Sequence, residues 1–320
     1  MAAHFLLSSK ARNLSLAQVM RLSDAEAYET FKAIRWSEND GQPICPRCGS
    51  VTVYEYRTRR IYKCKGCGSQ FSLTTGTIFA SRKLAIRDLL AAIAIFVNGA
   101  KGHSALQLSR DLDVQYRTAF VLAHKLREAM GATVQNRNLS GDVEIDGAFF
   151  GGYIKQENRK EDRKDRRLKE NQNGKRRAVV VMRQRKGSTV PMVFDDEGDA
   201  LSAIYARVQP NSTIYADEAP CWDALHAVYK TKRINHSVAF KDKDACTNQA
   251  ESFFSRLRRA EIGTHHKISG RYLHCYANEM AWREDNRRVA NGDLYRLATA
   301  AALAHPVSKV WKGYWQRSAA

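Results

Sequence analysis

Apolar residues recur at helical spacing in "SLAQVMRLSDAEAYETFKAIRW", and Ser23 and Glu26 stand in capping-box register within it. Two short strands then flank a basic bend at Arg57 to Arg60 in "SVTVYEYRTRRIYK". From Leu84 the pattern turns helical again. "LAIRDLLAAIAIFVNG" closes at Gly99 as C-cap, and "SALQLSRDL" opens at Ser104 as N-cap. Between Gln115 and Met130, Ala119, Leu122, Ala123, Leu126 and Met130 form one stripe, leaving Gln115, Arg117, Thr118, His124, Lys125 and Arg127 on the more available side. The period then changes to two. "DVEIDGAFFGGY" (142–153), "RRAVVVMRQ", "STVPMVFDD" and "STIYADEAP" (212–220) read as strands, with the helical "ALSAIYARVQ" before the last of them. "CWDALHAVY" predicts a helix, "RINHSVAF" a strand, and "TNQAESFFSRLRRAEIG" (247–263) a helix with Thr247 as N-cap and Gly263 as C-cap.

A chain of 320 residues with 44% hydrophobic content holds several domains with real cores. The expected organisation is a helix and small metal domain over 1–80, a helical segment over 81–135, a mixed-sheet domain over 140–290 and a C-terminal tail over 291–320. The net charge of +19 and pI near 9.8 point to an acidic polymer as partner, since neutralised phosphates release counterions. A membrane surface is the rival. The longest clean apolar run, "LLAAIAIFV" (89–97), is far shorter than the roughly 20 residues a bilayer requires. The opening "MAAHFLLSSKARN" has no signal-peptide layout, so a cytoplasmic protein with no membrane partner is expected.

"CPRCG" (45–49) and "CKGCG" (64–68) place Cys45, Cys48, Cys64 and Cys67 at the spacing of one structural zinc ion held by four thiolates; redox pairs or disulfides are the alternative. Gly49 and Gly68 allow the tight turns and are expected to aim N–H groups at sulfur. Tyr54, Tyr56, Arg57, Arg59, Arg60 and Tyr62 suit contacts to DNA phosphates and bases. Cys221, Cys246 and Cys275 are isolated thiols. The Gln115–Met130 stripe after a short helix resembles a helix-turn-helix whose last helix reads DNA through residues such as Arg117 and Lys125. His103 and His124 read as surface or capping histidines, and His265, His266 and His274 have no spacing that demands a metal.

On the strand 142–151, Glu144 and Asp146 share a face opposite Val143 and Ile145. Asp217 also ends a strand. On the helix 247–263, Asn248, Glu251, Ser255 and Arg258 share one face while Phe253, Phe254 and Leu257 occupy the other. Each acid alone reads as solvated surface. Together, two strand-end aspartates and a helical glutamate are what a ribonuclease H-like domain uses to bind two divalent ions for phosphoryl transfer, and hard Mg2+ or Mn2+ prefers such oxygens. The interval between Asp217 and Glu251 holds 33 residues, close to the spacing in DDE recombinases. The basic run 155–177 is a solvated loop or a clamp on DNA phosphates.

The ordered motifs "CPRCG…CKGCG", "EIDGAFFGG", "YADE", "NQAESFFSRLRRAEIGTHH" and "YLHCYANEMAWREDNRR" resemble the zinc-ribbon-bearing DDE transposases of bacterial insertion sequences, over about residues 20 to 290. The resemblance implies a multidomain α+β and α/β protein with a zinc ribbon, a helix-turn-helix segment and a ribonuclease H-like catalytic domain. It also implies Asp146, Asp217 and Glu251 as catalytic ligands of two Mg2+ or Mn2+ ions, with Asn248 as an alternative third residue; Glu144, one pleat earlier on the strand than Asp146, reads as support. Arg258 falls where the family often contacts transposon DNA. The implied partner is double-stranded DNA, as transposon ends and target, bound by a homodimer or larger homo-oligomer at the nucleoid. A non-catalytic DNA-binding regulator and a nuclease without joining activity are the competing functions.

Overall fold

The computed structural model describes residues 5–152, 155–165, 168–171, 173–234 and 246–317. They divide into two compact units, one built from residues up to Ala132 together with those from Asn286 onward, the other from Thr133–Asp285.

In the first unit, α1 (Leu16–Met20) and α2 (Asp24–Arg35) precede a three-stranded antiparallel sheet, β1 (Val53–Tyr56), β2 (Ile61–Cys64) and β3 (Gln70–Ser72). The Ser23–Glu26 capping box forms, with the Ser23 backbone N–H donating to Glu26 Oε2 at 2.8 Å. Tyr62 is 1% exposed, and its hydroxyl lies 2.9 Å from that of Tyr28 on α2. This residue therefore fastens the ribbon to α2 and has no surface for a DNA base. Three further helices follow, α3 (Ile86–Asn98), α4 (Ala105–Asp111) and α5 (Tyr116–Gln135). From Leu89 to Val97 helix α3 is apolar on every side, and such a helix must be enclosed. It packs against α1, α2 and a later helix, described below.

The second unit begins in the last turn of α5. Its sheet comprises β4 (Asp142–Gly151), β5 (Arg176–Gln184), β6 (Thr189–Phe194), β7 (Thr213–Asp217) and β8 (Lys230–Ile234), in the order β6-β5-β4-β7-β8. β4, β5 and β6 are antiparallel neighbours, while β4, β7 and β8 run parallel. Val143, Ile145, Val180, Met182, Ile214 and Ala216 form the core on one face with Ile204 of α6 (Leu201–Arg207), Trp222 and Leu225. The opposite face of β4 and β5 carries α7 (Asn248–Ala260), and α8 (Leu273–Asp285) packs on β6. This mixed sheet is that of a ribonuclease H-like α+β domain.

Several local expectations change. "CWDALHAVY" forms 3-10 turns over Pro220–Ala227 instead of an α-helix. The strand expected in "RINHSVAF" begins earlier, at Lys230, and its part from residue 235 lies outside the described residues, as does His236. Gly263 does not cap α7; the chain passes at Glu261 into a π-helical turn, Glu261–His265. The expected tail contains α9 (Asn291–Ala304) and α10 (Tyr314–Arg317). Helix α9 packs on α2 and α3, and Asn291 Oδ1 accepts from the N–H groups of Asn13 and Leu14, each at 3.0 Å. Ala298, Ala302 and Leu303 supply the apolar stripe that keeps this segment folded. No helix among the described residues is long and apolar enough to cross a membrane.

Candidate active site and zinc centre

The ligand atoms of Cys45, Cys48, Cys64 and Cys67 all lie within 4.8 Å of one another, with Cys45–Cys67 Sγ atoms 3.7 Å apart and Cys48–Cys64 3.5 Å apart. A tetrahedron with zinc–sulfur bonds of about 2.3 Å has edges of roughly 3.8 Å, so the four sulfurs fit one structural zinc ion. Gly49 and Gly68 adopt φ of 72° and 70°, which only glycine takes without strain. Their N–H groups donate to the carbonyls of Cys45 and Cys64, at 2.9 and 3.1 Å, closing the turns instead of pointing at sulfur. N–H groups that do meet sulfur come from other residues: that of Cys67 lies 3.4 Å from Cys64 Sγ, and those of Ser50 and Ser69 serve Cys48 and Cys67. Arg57 and Arg59 are exposed in the bend between β1 and β2, and exposed Arg60 lays its guanidinium over the Tyr28 ring at 5.2 Å.

In the second unit, parallel pairing matches Asp142 with Thr213 and Glu144 with Tyr215. Asp146 and Asp217 each follow two residues after this last matched pair, on the same faces of their strands as Glu144 and Tyr215. Asp146 is half-buried, and its carboxyl is pushed up to about 7 by burial, with the nearby charges of Asp217, Glu251 and Glu197 adding to the rise. Glu251 is exposed in the first turn of α7, its oxygen 3.4 Å from the Thr247 hydroxyl. The three expected acids thus share one electrostatic neighbourhood. They stand further apart than the cysteines do: among the described residues, no three carboxylates close to within 4.8 Å.

Glu197 is the member of this neighbourhood that the strand-and-helix pattern missed. It lies in the 3-10 turn Glu197–Ala200 after β6, and a Cβ at Gly147 would come within 2.4 Å of its Oε1. Glycine at 147 lets that flexible side chain lie beside Asp146 without crowding. Burial, followed by Asp217, raises the Glu197 carboxyl. The acidic "DDEGD" after an apolar strand was the available signal.

Glu144 is 1% exposed and accepts from the backbone N–H groups of Gln249 at 2.8 Å and Ala250 at 3.1 Å. It therefore caps α7 from another element, where an anion also meets the positive end of the helix dipole. Thr247 occupies the N-cap position without supplying a side-chain cap. Arg185 donates to the other Glu144 oxygen at 2.9 Å, lies 3.7 Å above the Tyr215 ring, and donates to the Cys246 carbonyl at 2.9 Å. Asn248 is exposed at the start of α7, one turn before Glu251, and Arg258 is exposed two turns after it.

The "WREDNRR" stretch braces this arrangement. Asp285 accepts from Arg183 at 2.8 Å, Arg137 at 2.6 Å and the Thr189 hydroxyl at 2.6 Å, and Glu284 accepts from Arg256 of α7 at 2.8 Å. On α5, Arg117 is exposed, whereas Lys125 is half-buried and burial lowers its pKa. His124 and Arg127, expected on the available side, are 0% and 1% exposed. His124 stacks on Trp311, and Arg127 lies over Phe96 and donates to the His103 carbonyl.

Residues 138–285 match the ISXO2-like transposase domain, and residues 22–70 match the transposase zinc-ribbon domain. Over 295 residues the chain is 24% identical to an uncharacterized protein in transposable element ISH50 of Halobacterium salinarum, covering 88% of this chain and 98% of that protein.

Proposed function

We propose, for a chain that belongs to the zinc-ribbon-bearing DDE-type transposases of insertion sequences, that it binds the terminal inverted repeats of its element and cuts and joins DNA at Asp146, Asp217 and Glu251. The observation that carries this reading is the parallel pairing of β4 with β7 up to Glu144 and Tyr215, two residues before Asp146 and Asp217, while Glu144 also holds the turn bearing Glu251. The donor set fits hard divalent cations. Carboxylate oxygens are what Mg2+ and Mn2+ prefer, and positive charge among these acids would relieve the cost of burial and mutual repulsion that raises Asp146. Asp146, Asp217 and Glu251 would hold two such ions, which when bound activate the attacking oxygen and stabilise the leaving one.

The remaining work belongs to the chain itself. The exposed edge at Glu251 leaves room for a DNA strand, and Arg258 on the same side of α7 offers its charge to a phosphate. Glu144 and Arg185 keep the helix start in place, so that Glu251 need not be ordered again at each turnover. Arg57, Arg59, Arg60 and Arg117 supply exposed cations for end binding. Cutting two ends together requires at least two subunits on DNA, and the chromosome in the cytoplasm is the place of action.

Incubating the protein with a labelled duplex of the element's end, target DNA and Mg2+ tests the proposal. The expected product is a cleaved end covalently joined to target. Cleavage without joining would identify a nuclease, and binding without cleavage a regulator.

A further inference from the structure

The stretch from Pro306 to Arg317 carries Lys309, Lys312 and Arg317 and no acid. Its aromatic residues decide where those charges go. Trp311 is 3% exposed and stacks on His124 of α5, with centroids 4.2 Å apart and planes 21° apart. Trp311, Tyr314 and Trp315 surround Phe120, at centroid distances of 6.0, 6.2 and 5.7 Å. Trp315 Nε1 donates to the Arg117 carbonyl at 3.2 Å, and the Arg117 guanidinium lies 5.3 Å from the centroid of that indole. Arg117, Phe120 and His124 fall at i, i+3 and i+7, which is one face of a helix. The C-terminal segment therefore seals one face of the N-terminal half of α5.

Lys309, Lys312 and Arg317 remain exposed, as do Gln115, Arg117 and Thr118 at the start of α5. Arg317 folds back to donate to the Lys309 carbonyl at 3.0 Å, which draws the ends of the segment together. Trp311 and Tyr314 are buried in packing, and half-buried Trp315 is held against Phe120 and the Arg117 guanidinium, so within the segment the cations are more exposed than the rings on which unpaired bases could stack. That combination suits a duplex backbone, where cations contact phosphate and fix the orientation of a neighbouring reading element.

We propose that residues 309–317 and the first turn of α5 form a single DNA-contacting surface, in which Lys309, Lys312 and Arg317 bind duplex phosphates and seat α5 on the transposon end. The proposal rests on the reading that this chain binds duplex DNA at the ends of its element. It also moves the expected contribution of half-buried Lys125 to cations from the far end of the chain.

The test uses the full chain and its Lys309→Gln/Lys312→Gln/Arg317→Gln variant, in which the aromatic anchors are kept. Binding to a fluorescent end duplex is measured by anisotropy across a salt series, with a single strand of the same sequence as a second probe. Removing three phosphate contacts should lower the magnitude of the log–log salt slope by about 2.7 and weaken duplex binding about tenfold or more, with thermal melting and zinc content unchanged. An unaltered slope and affinity in the folded variant would overturn this surface while leaving end binding intact. Absence of duplex binding by the unaltered chain would overturn both, and a loss confined to the single strand would overturn the assignment to duplex.

Discussion

The zinc ribbon and the acidic site are each a set of metal-ligand residue types, assembled by different means. The cysteines sit at two tight turns, where backbone hydrogen bonds from Gly49 and Gly68 fix each pair locally. The acids come from β4, β7 and α7, and are brought together by strand register and by a carboxylate that caps a helix more than a hundred positions away in sequence. The first arrangement carries its geometry in its spacing. The second depends on buried polar contacts that hold remote elements to one another, so it is sensitive to residues that bear no ligand.

The largest effects should separate the two regions. Asp146→Asn and Asp217→Asn should each lower Mg2+-dependent cleavage by about a thousandfold, the equivalent of roughly 4 kcal/mol of transition-state stabilisation, with end binding within a few fold of the unaltered protein. Single-turnover cleavage and anisotropy on the same end duplex give both numbers. Cys64→Ser should do the reverse, lowering zinc content and end binding while the second unit retains its folding transition. Equal collapse of both units in a melting experiment would show that the ribbon is not energetically separate.

Intermediate effects probe the positioning residues. Glu144→Gln keeps the shape but removes the charge that meets two helix N–H groups and Arg185, and should cost about 10- to 100-fold in activity. Its signature is a raised Mg2+ requirement, and saturating Mg2+ should recover part of the rate. Loss of rate with no change in Mg2+ dependence would mean that Glu144 serves folding alone. Glu197→Gln should have the smallest effect, within about tenfold, because Glu197 lies beside the acids without belonging to β4, β7 or α7. A loss as large as that of Asp146→Asn would instead place Glu197 among the indispensable ligands.

Reading the chain alone reveals what depends on neighbours in sequence. The cysteine spacing, the alternation that sets Glu144 and Asp146 on one face, and the strand end at Asp217 are all local patterns. The expected roles of His124, Arg127 and Tyr62 change because their environments come from elsewhere in the chain: Trp311, Phe96 and Tyr28 enclose them. The same holds for residues 291–304, read as part of a tail although α2 and α3 supply the surface on which their Ala- and Leu-rich stripe packs. Glu144 reads only as support for Asp146, since the N–H groups it caps belong to Gln249 and Ala250. Glu197 escapes because a 3-10 turn has no periodicity to mark which of its acids faces inward.

Asn248 and Glu251 lie one turn apart on the same side of α7, so the third ligand decides the assignment. The direct measurement is strand transfer of a labelled end by Glu251→Gln and by Asn248→Ala, at matched end occupancy and across a Mg2+ series. Cleavage and joining should vanish in Glu251→Gln, while Asn248→Ala retains both within about tenfold. Abolished cleavage in Asn248→Ala with activity kept in Glu251→Gln would move the third ligand by one helical turn and contradict the Asp146–Asp217–Glu251 assignment.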